Sequence, residues 1–173
     1  MTTIDQALQA IETAIQIEKD GLAFYSQAAR QTDDAAGRRM FETLARDEAA
    51  HLRLFESVKA SLLEEKGWPT PEQVAALNPS RRLPVFPPVK GGQPLELPQR
   101  ELAALQRGIR AEEESIDFYS RQMEATQDAD ARAMYAYLVE QERGHRTILQ
   151  GEYDYMTQTG FWFDVREFTL ESV

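Results

Sequence analysis

The sequence predicts an all-α fold, a four-helix bundle assembled from two copies of one helical hairpin. The first observation behind this prediction is an internal repeat with an offset of 94 residues, in which Leu44, for example, recurs as Leu138. The second is the spacing of apolar residues, which alternates between three and four along four segments. Such spacing is typical of the inward face of a bundle helix. Two copies of so long a repeat are not a solenoid.

The first hairpin is predicted at about residues 3–65. Its first helix places inward Leu8, Ile11, Ile15, Glu18, Leu22, Tyr25 and Ala29. Its second helix places inward Phe41, Leu44, Glu48, His51, Phe55, Val58 and Leu62. The loop near residues 31–35 is short, so the two helices should run antiparallel.

The second hairpin is predicted at about residues 99–158. Its first helix places inward Leu102, Leu105, Ile109, Glu112, Ile116, Tyr119 and Met123. Its second helix places inward Ala131, Tyr135, Leu138, Glu142, His145, Leu149 and Glu152. The loop near 126–130 is again short, and Gly160 is expected to end the last helix.

A proline-rich crossover at about residues 66–98 joins the hairpins, with Pro84, Pro87 and Pro88 followed by Gly91-Gly92. About 33 extended residues reach on the order of 100 Å. A helix of about 28 residues is only about 42 Å long. The crossover can therefore span the bundle, with slack for a short helix near 71–77 or for exchange of hairpins between two chains.

The tail, at about residues 159–173, is rich in aromatic residues such as Trp162 and Phe168. Two interpretations stay open for it: a cover over one bundle end, or a contact between two chains.

Glu152 is also unexplained, because its counterpart in the first hairpin is Val58. It lies either at a bundle end or in a pair that the sequence does not identify.

Composition narrows the possible functions. A chain of 173 residues fits one domain, 1–173, with a substantial core. No stretch is apolar enough to span a bilayer, and the N-terminus has no secretory pattern, so a cytoplasmic location is expected. The absence of cysteine excludes disulfides, zinc–thiolate sites and iron–sulfur centres in this chain. A net charge of −10 disfavours nucleic acid and anionic membranes as partners.

A pattern of Glu followed by Glu-x-x-His occurs twice, and all of its members lie on the inward faces. They are Glu18, Glu48 and His51 in the first hairpin, and Glu112, Glu142 and His145 in the second. Burying unpaired carboxylates is very costly, whereas two divalent cations would balance four of them. Oxygen and imidazole ligands without sulfur suit iron or manganese, and zinc is a possible substitute. The pattern therefore predicts a site for two metal ions.

The symmetry of the pattern predicts a role for each ligand. A glutamate and a histidine three residues apart share one helix face, so each Glu-x-x-His motif reaches one point. We expect one shell with Glu18 and His51, a second with Glu112 and His145, and two bridging carboxylates, Glu48 and Glu142. No catalytic residue apart from these ligands is predicted.

Two tyrosines, Tyr25 and Tyr119, follow the first glutamate of each copy by seven residues. Each should face the core near the metals, where a phenol can hydrogen-bond a ligand carboxylate. The alternative is that they only fill the core with a satisfied hydroxyl. The occurrence of the tyrosine in both copies favours the role beside the metal ligands.

One glutamate from each of two helices and a Glu-x-x-His motif from each of the other two is the ferritin-like arrangement. The motifs resemble those of the rubrerythrin branch of the ferritin-like superfamily over nearly the whole chain. They are Ile17-Glu18-Lys19 with Phe24-Tyr25, Glu48-Ala-Ala-His51, Glu112 with Phe118-Tyr119, Glu142-Arg-Gly-His145, and the tail Gly160-Phe-Trp-Phe-Asp164. The resemblance implies a carboxylate-bridged pair of non-haem iron ions, reaction with hydrogen peroxide or dioxygen, and a dimer or larger oligomer.

The chain departs from rubrerythrins in two respects. Rubrerythrins proper carry a cysteine-ligated rubredoxin domain, which this chain without cysteine cannot form, so electrons must come from a separate donor protein. Rubrerythrins also carry a further glutamate three residues after the third carboxylate ligand, where this chain has Ser115. The remaining ligand set resembles that of bacterioferritins.

Three functions are compatible with the sequence. The first is a di-iron peroxidase that reduces hydrogen peroxide with electrons from the donor protein, as a homodimer that can have exchanged hairpins. The second is a ferroxidase or iron-handling protein that uses dioxygen. The third is a bundle that metals only hold together, with a closed and inert site.

Overall fold

The computed structural model describes residues 3–77 and 99–163, and the regular structure of these residues is entirely helical. The helices are α1 (Thr3–Gln31), α2 (Ala35–Leu63), α3 (Pro71–Leu77), α4 (Gln99–Ala125) and α5 (Ala129–Thr159). Helices α1 and α2 form one antiparallel hairpin, α4 and α5 form the other, and the hairpins pack face to face. The predicted all-α, ferritin-like four-helix bundle is confirmed.

The hairpins close with matching helix caps. The Asp34 side chain accepts hydrogen bonds from the Ala36 and Gly37 amides at the start of α2, at 2.7 and 3.1 Å. Asp128, which lies 94 positions later, caps α5 in the same way. An aspartate here satisfies amides that a helix start would otherwise leave unpaired. At the far end of α5, Gly160 takes φ 77° and ends the helix, as predicted.

The start of the crossover contains α3, at the position where a short helix was predicted. Thr70 and Gln73 cap it reciprocally, and Val74, 2% exposed, joins the core beside α2 and α5. The proline-rich part, with Pro84, Pro87, Pro88 and Gly91-Gly92, lies outside the described residues. Its reach and any exchange of hairpins stay predictions.

Two apolar clusters fill the bundle, one at each end. On α1, Ile11 belongs to the first cluster and Tyr25 to the second, and Glu18 lies between them. On α2, Phe55 belongs to the first cluster and Leu44 to the second. The polar inward residues therefore form a layer in the middle of the bundle, with an apolar cluster on each side.

The described part of the tail covers one end of the bundle. Trp162 packs on α2, and its ring meets the Phe41 ring edge-on with centroids 5.8 Å apart. A Cβ at Gly37 would lie 2.4 Å from the Trp162 ring, so only glycine leaves room for it. Phe168 lies outside the described residues.

None of the described helices is long and apolar enough to cross a membrane.

Candidate metal centre

The structure brings together all six residues that the sequence singled out as metal ligands, and each is at most 4% exposed. Their ligand atoms form two groups, each with all atoms within 4.8 Å of one another. One group is Glu18, Glu48, His51 and Glu142, and the other is Glu48, Glu112, Glu142 and His145. The two groups share Glu48 and Glu142, the carboxylates expected to bridge.

Both histidines point Nδ1 into the layer of carboxylates. His51 Nδ1 lies 3.1 Å from Glu142 Oε1 and 3.4 Å from Glu18 Oε2. His145 Nδ1 lies 2.9 Å from the other oxygen of Glu142 and 3.2 Å from Glu48 Oε1. The two rings stack with centroids 5.6 Å apart. Each imidazole therefore faces its own pair of carboxylate oxygens, as ligands around one ion do.

The atoms that face this centre lack hydrogen bonds, despite these short separations. Within the described chain, no hydrogen-bond partner exists for Glu18 Oε2, Glu48 Oε1, either oxygen of Glu142, or Nδ1 of His51 and His145. Buried polar atoms are normally paired, because leaving them unpaired costs free energy. A cation bound between them would satisfy these lone pairs. The residues present therefore fit a two-metal centre.

The electrostatics of the layer lead to the same conclusion. Burial, and then repulsion from Glu142 and Glu18, raises the pKa of Glu48 well above its ordinary value. Burial raises the pKa of Glu112 to about 7. Burial opposes the His51 imidazolium, but the charges of Glu142 and Glu18 outweigh it and raise the pKa of His51. Without cations the layer holds protons, so metal binding must release them and weaken at low pH.

The two tyrosines bind ligand carboxylates across the interface between hairpins. Tyr25 on α1 donates its hydroxyl hydrogen to Glu112 Oε1 on α4, and Tyr119 on α4 donates to Glu18 Oε1 on α1. Burial, and then the nearby carboxylates, raise the pKa of both phenols, so they stay protonated donors. Tyr119 fixes one oxygen of Glu18 and leaves Oε2 to face the centre. Each tyrosine thus orients the glutamate of the other hairpin.

Sequence reasoning missed one residue beside the centre, Asp47. Its Oδ2 lies 3.5 Å from Nε2 of His145, so this carboxylate orients the imidazole that points Nδ1 inward. The repeat gave no signal for it, because its counterpart in the second hairpin is Gln141. Asp47 is only 7% exposed although it lies outside the predicted inward positions of α2.

A cavity of about 520 Å³ leads from the surface between α1 and α4 to the carboxylate layer. Glu48 and Glu112 lie at its inner end, and Arg107, Arg110 and Arg121 lie on its exposed side. Gly21 also lines the cavity. A Cβ added at this position would lie 3.1 Å from Glu48 Oε2. A small molecule can therefore reach the layer from solvent.

Glu152 is not part of the centre. It is fully buried near the tail, where Oε2 accepts a hydrogen bond from the Phe163 amide at 3.1 Å. Burial is the largest cause that raises its pKa to about 8. Glu152, whose role the sequence left open, is thus a buried acid at the bundle end that binds the backbone of the tail.

A helical bundle with a buried layer of four carboxylates and two imidazoles has the donor set of a carboxylate-bridged di-iron protein. The chain belongs to the rubrerythrin family, whose model matches residues 9–153. The expected resemblance is thereby confirmed. Neither the curated proteins nor the solved structures include a match.

Proposed function

We propose that this protein is a di-iron oxidoreductase that reduces hydrogen peroxide to water with electrons from a separate donor protein. The observation that carries the proposal is the pair of ligand groups that share Glu48 and Glu142. This arrangement suits two adjacent ions with bridging carboxylates, and membership of the rubrerythrin family favours iron over manganese or zinc. Two ferrous ions held by these residues would supply the two electrons that reduction of one peroxide to water requires.

The residues of the chain contribute access and orientation. The cavity between α1 and α4 gives a small oxidant a route to Glu48 and Glu112. The hydrogen bonds from Tyr25 and Tyr119 hold the two outer glutamates across the hairpin interface. This orientation limits the reorganisation of the ligands when the charge of the centre changes.

A second candidate function is a ferroxidase that oxidises ferrous iron with dioxygen and then releases it. The specific observation in its favour is Ser115, at the position where rubrerythrins carry a further glutamate. Its hydroxyl donates a hydrogen bond to the Ala111 carbonyl at 3.1 Å on its own helix, and Ser115 lines the cavity. A hydroxyl paired in this way adds no carboxylate to the centre. An inert bundle held together by metals is disfavoured, since the cavity reaches the ligands.

The proposal includes three expectations about the setting of the reaction. Electrons come from a separate protein, because the chain has no cysteine to hold an iron–sulfur or rubredoxin-type centre. The working form is a homodimer, with or without exchanged hairpins. The location is cytoplasmic.

A stopped-flow comparison tests the reaction. The protein is loaded anaerobically with ferrous iron, mixed with hydrogen peroxide or with dioxygen, and followed by the absorbance of the oxo-bridged ferric product. Much faster oxidation by peroxide supports the peroxidase. Equal or faster oxidation by dioxygen, with turnover of added iron, would replace it with the ferroxidase. Failure to oxidise with either reagent would overturn both in favour of the inert bundle.

A further inference from the structure

Aromatic rings form a continuous line from the carboxylate layer to the surface on one side of the bundle. Tyr119, which is hydrogen-bonded to Glu18, stacks on Tyr135 with ring centroids 6.3 Å apart. The Tyr135 ring in turn lies 5.9 Å from the ring of Trp68, which is partly exposed in the connection after α2. We call this line the Trp68 relay.

A second line leaves the layer towards the opposite end. Tyr25, which is hydrogen-bonded to Glu112, stacks on Phe41 with centroids 6.3 Å apart. The Phe41 ring lies 5.8 Å from that of Trp162, which is partly exposed in the segment after α5. We call this line the Trp162 relay.

The internal repeat relates the two lines member by member. Tyr25 and Tyr119 are 94 positions apart, and so are Phe41 and Tyr135, and Trp68 and Trp162. These are the two tryptophans of the chain, and the residues on either side of them differ between the copies. Helix periodicity does not account for them, because both follow the end of a long helix. The duplicated hairpin has kept a tryptophan at the outer end of each line.

The chemistry of the rings suits one-electron oxidation. Tyrosine and tryptophan lose single electrons more readily than most side chains, and the chain has no cysteine to compete with them. A phenol that loses an electron must also give up its proton, and Glu18 and Glu112 are placed to accept it. Neighbouring rings are 5.8–6.3 Å apart, within the range of about 4.5–7 Å at which aromatic rings pack in contact.

The middle ring of each line acts as a bridge. Phe41 cannot release a proton, and the Tyr135 hydroxyl has no hydrogen-bond partner in the described chain that could take one. Both rings are buried, at 0% and 2% exposure, so they exclude water between the inner tyrosine and the outer tryptophan. The two lines are therefore equivalent in function although one middle ring is tyrosine and the other phenylalanine.

We propose that the two lines drain single oxidising equivalents from the metal centre to the protein surface. The proposal rests on the proposed function in one respect, that hydrogen peroxide is the oxidant. In the absence of the donor protein, each inner tyrosine would give up one electron towards bound metal and pass its proton to the bonded glutamate. Where no donor protein has reduced bound iron to the ferrous state, the two relays would thus supply the two electrons that one peroxide takes up, while two protons from solvent complete two molecules of water.

The outer tryptophans restore the tyrosines. Trp68 gives one electron to the Tyr119 radical, which takes back the proton from Glu18, and Trp68 releases its indole proton to solvent. A soluble thiol at the surface then returns one electron and one proton to Trp68, and two such thiols end as a disulfide. Trp162 does the same for Tyr25. The buried ligands are spared oxidation because the oxidising equivalents move to surface residues that the thiol can reduce.

Pulse radiolysis of the metal-free protein tests the relays without any reaction of a loaded centre. Azide radicals oxidise exposed tryptophan, and the absorbance then reports the decay of the tryptophan radical and the rise of a tyrosyl radical. This electron transfer crosses the same ring contacts in the direction opposite to the proposed drainage, and it therefore tests whether the contacts conduct. In a Trp162→Phe background, where Trp68 is the tryptophan that remains, we expect Tyr119→Phe to slow this conversion by an order of magnitude. Tyr25→Phe, the matched control, should leave its rate unchanged.

The Trp68→Phe background should give the reverse pattern, slowed by Tyr25→Phe and not by Tyr119→Phe. Every substitution keeps an aromatic ring, and circular dichroism verifies that each variant is folded before it is compared. If Tyr119→Phe and Tyr25→Phe gave equal rates of radical transfer within each tryptophan background, the relays would be overturned, whichever oxidant the centre uses.

A second measurement separates the relays from the proposed reaction. The iron-loaded protein is treated with hydrogen peroxide without a reductant, and mass spectrometry of peptides quantifies oxidised Trp68 and Trp162. Tyr119→Phe should lower oxidation of Trp68 relative to that of Trp162, and Tyr25→Phe should do the reverse, so that a general loss of reaction at the centre cancels in the ratio. One combination of results separates the two proposals. If each tyrosine variant slows radiolysis only in its own background, but peroxide leaves both tryptophans unmodified, the relays are supported and peroxide is not the oxidant.

Discussion

At the scale of single residues, the most informative feature is that buried acids occur in two different settings. Glu48 lies among other carboxylates and imidazoles and has an oxygen without a hydrogen-bond partner in the described chain. Glu152 lies apart from this layer at a bundle end, where Oε2 accepts a hydrogen bond from the Phe163 amide and Oε1 has no partner in the described chain. The first setting suits cations, whereas in the second burial favours the protonated acid. The two glutamates should therefore respond differently to substitution.

Glu48→Ala should abolish binding of both metal ions, because Glu48 belongs to both ligand groups. Isothermal titration with Mn²⁺ and iron analysis of the loaded protein measure the loss. Glu113→Ala is the matched control, since Glu113 is exposed beside the predicted ligand Glu112, and it should bind two ions per chain. Retention of two irons by Glu48→Ala would refute the ligand assignment.

Glu152 should make the protein less stable as pH rises. Its folded pKa of about 8 lies above the ordinary value of 4.5, so the folded state binds more protons than the unfolded state between these values. The free energy of unfolding therefore falls with rising pH across this window, by at most about 4 kcal/mol. Glu152→Gln keeps an acceptor for the Phe163 amide and should remove this part of the pH dependence.

Urea unfolding of wild type and Glu152→Gln at pH 5 and pH 8 measures the difference. The variant should gain stability over wild type at pH 8 and little at pH 5. Comparing the two proteins cancels the titration of the metal ligands, which both share. Glu124→Gln, at an exposed position of α4, is the control and should follow wild type. An equal difference at both pH values would mean that Glu152 does not titrate in this window.

At the scale of helices, the repeat determines how each hairpin is closed. Asp34 and Asp128 cap the second helix of each hairpin, and each is followed by a helix that carries a Glu-x-x-His motif. The short loops were evident in the sequence, but the caps were not singled out there. The repeat could have predicted these caps, since Asp34 and Asp128 are separated by the same 94 residues as the ligands.

Asp34→Ala should destabilise the protein by about 1 kcal/mol, because the Ala36 and Gly37 amides lose their acceptor. Thermal unfolding followed by circular dichroism measures the change. Asp33→Ala is the control, since this exposed neighbour is not the N-cap. Equal effects of the two substitutions would show that the loss comes from charge near the helix start and not from the cap.

At the scale of the whole molecule, the candidate metal centre lies across the interface between the two hairpins, between the two apolar clusters to which both hairpins contribute. Each ligand group takes residues from both hairpins, and each inner tyrosine bonds a glutamate of the other. Ions bound here would therefore add to the packing of the two hairpins and would neutralise the carboxylates that repel across the interface. The stability of the bundle should depend on metal for this reason.

Adding Mn²⁺ to metal-free protein should raise the unfolding midpoint with increasing concentration. A free concentration of a hundred times the dissociation constant gives about 2.7 kcal/mol for one site. Differential scanning calorimetry measures the shift, and Mn²⁺ avoids oxidation during the scan. Glu48→Ala should show no such rise. A midpoint independent of Mn²⁺ in wild type would contradict a site built between the hairpins.

Helix periodicity and the internal repeat were enough to predict the helices, the two hairpins and the six residues that gather in the layer, because both are properties of the chain that can be seen without its fold. The groups that meet across the hairpins, by contrast, could be identified only from the packed structure. The bonds from Tyr25 to Glu112 and from Tyr119 to Glu18, the contact of Asp47 with His145, and the cavity to the layer are of this kind. They depend on the register and rotation of one hairpin against the other, which packing of whole faces sets and no short stretch of sequence encodes.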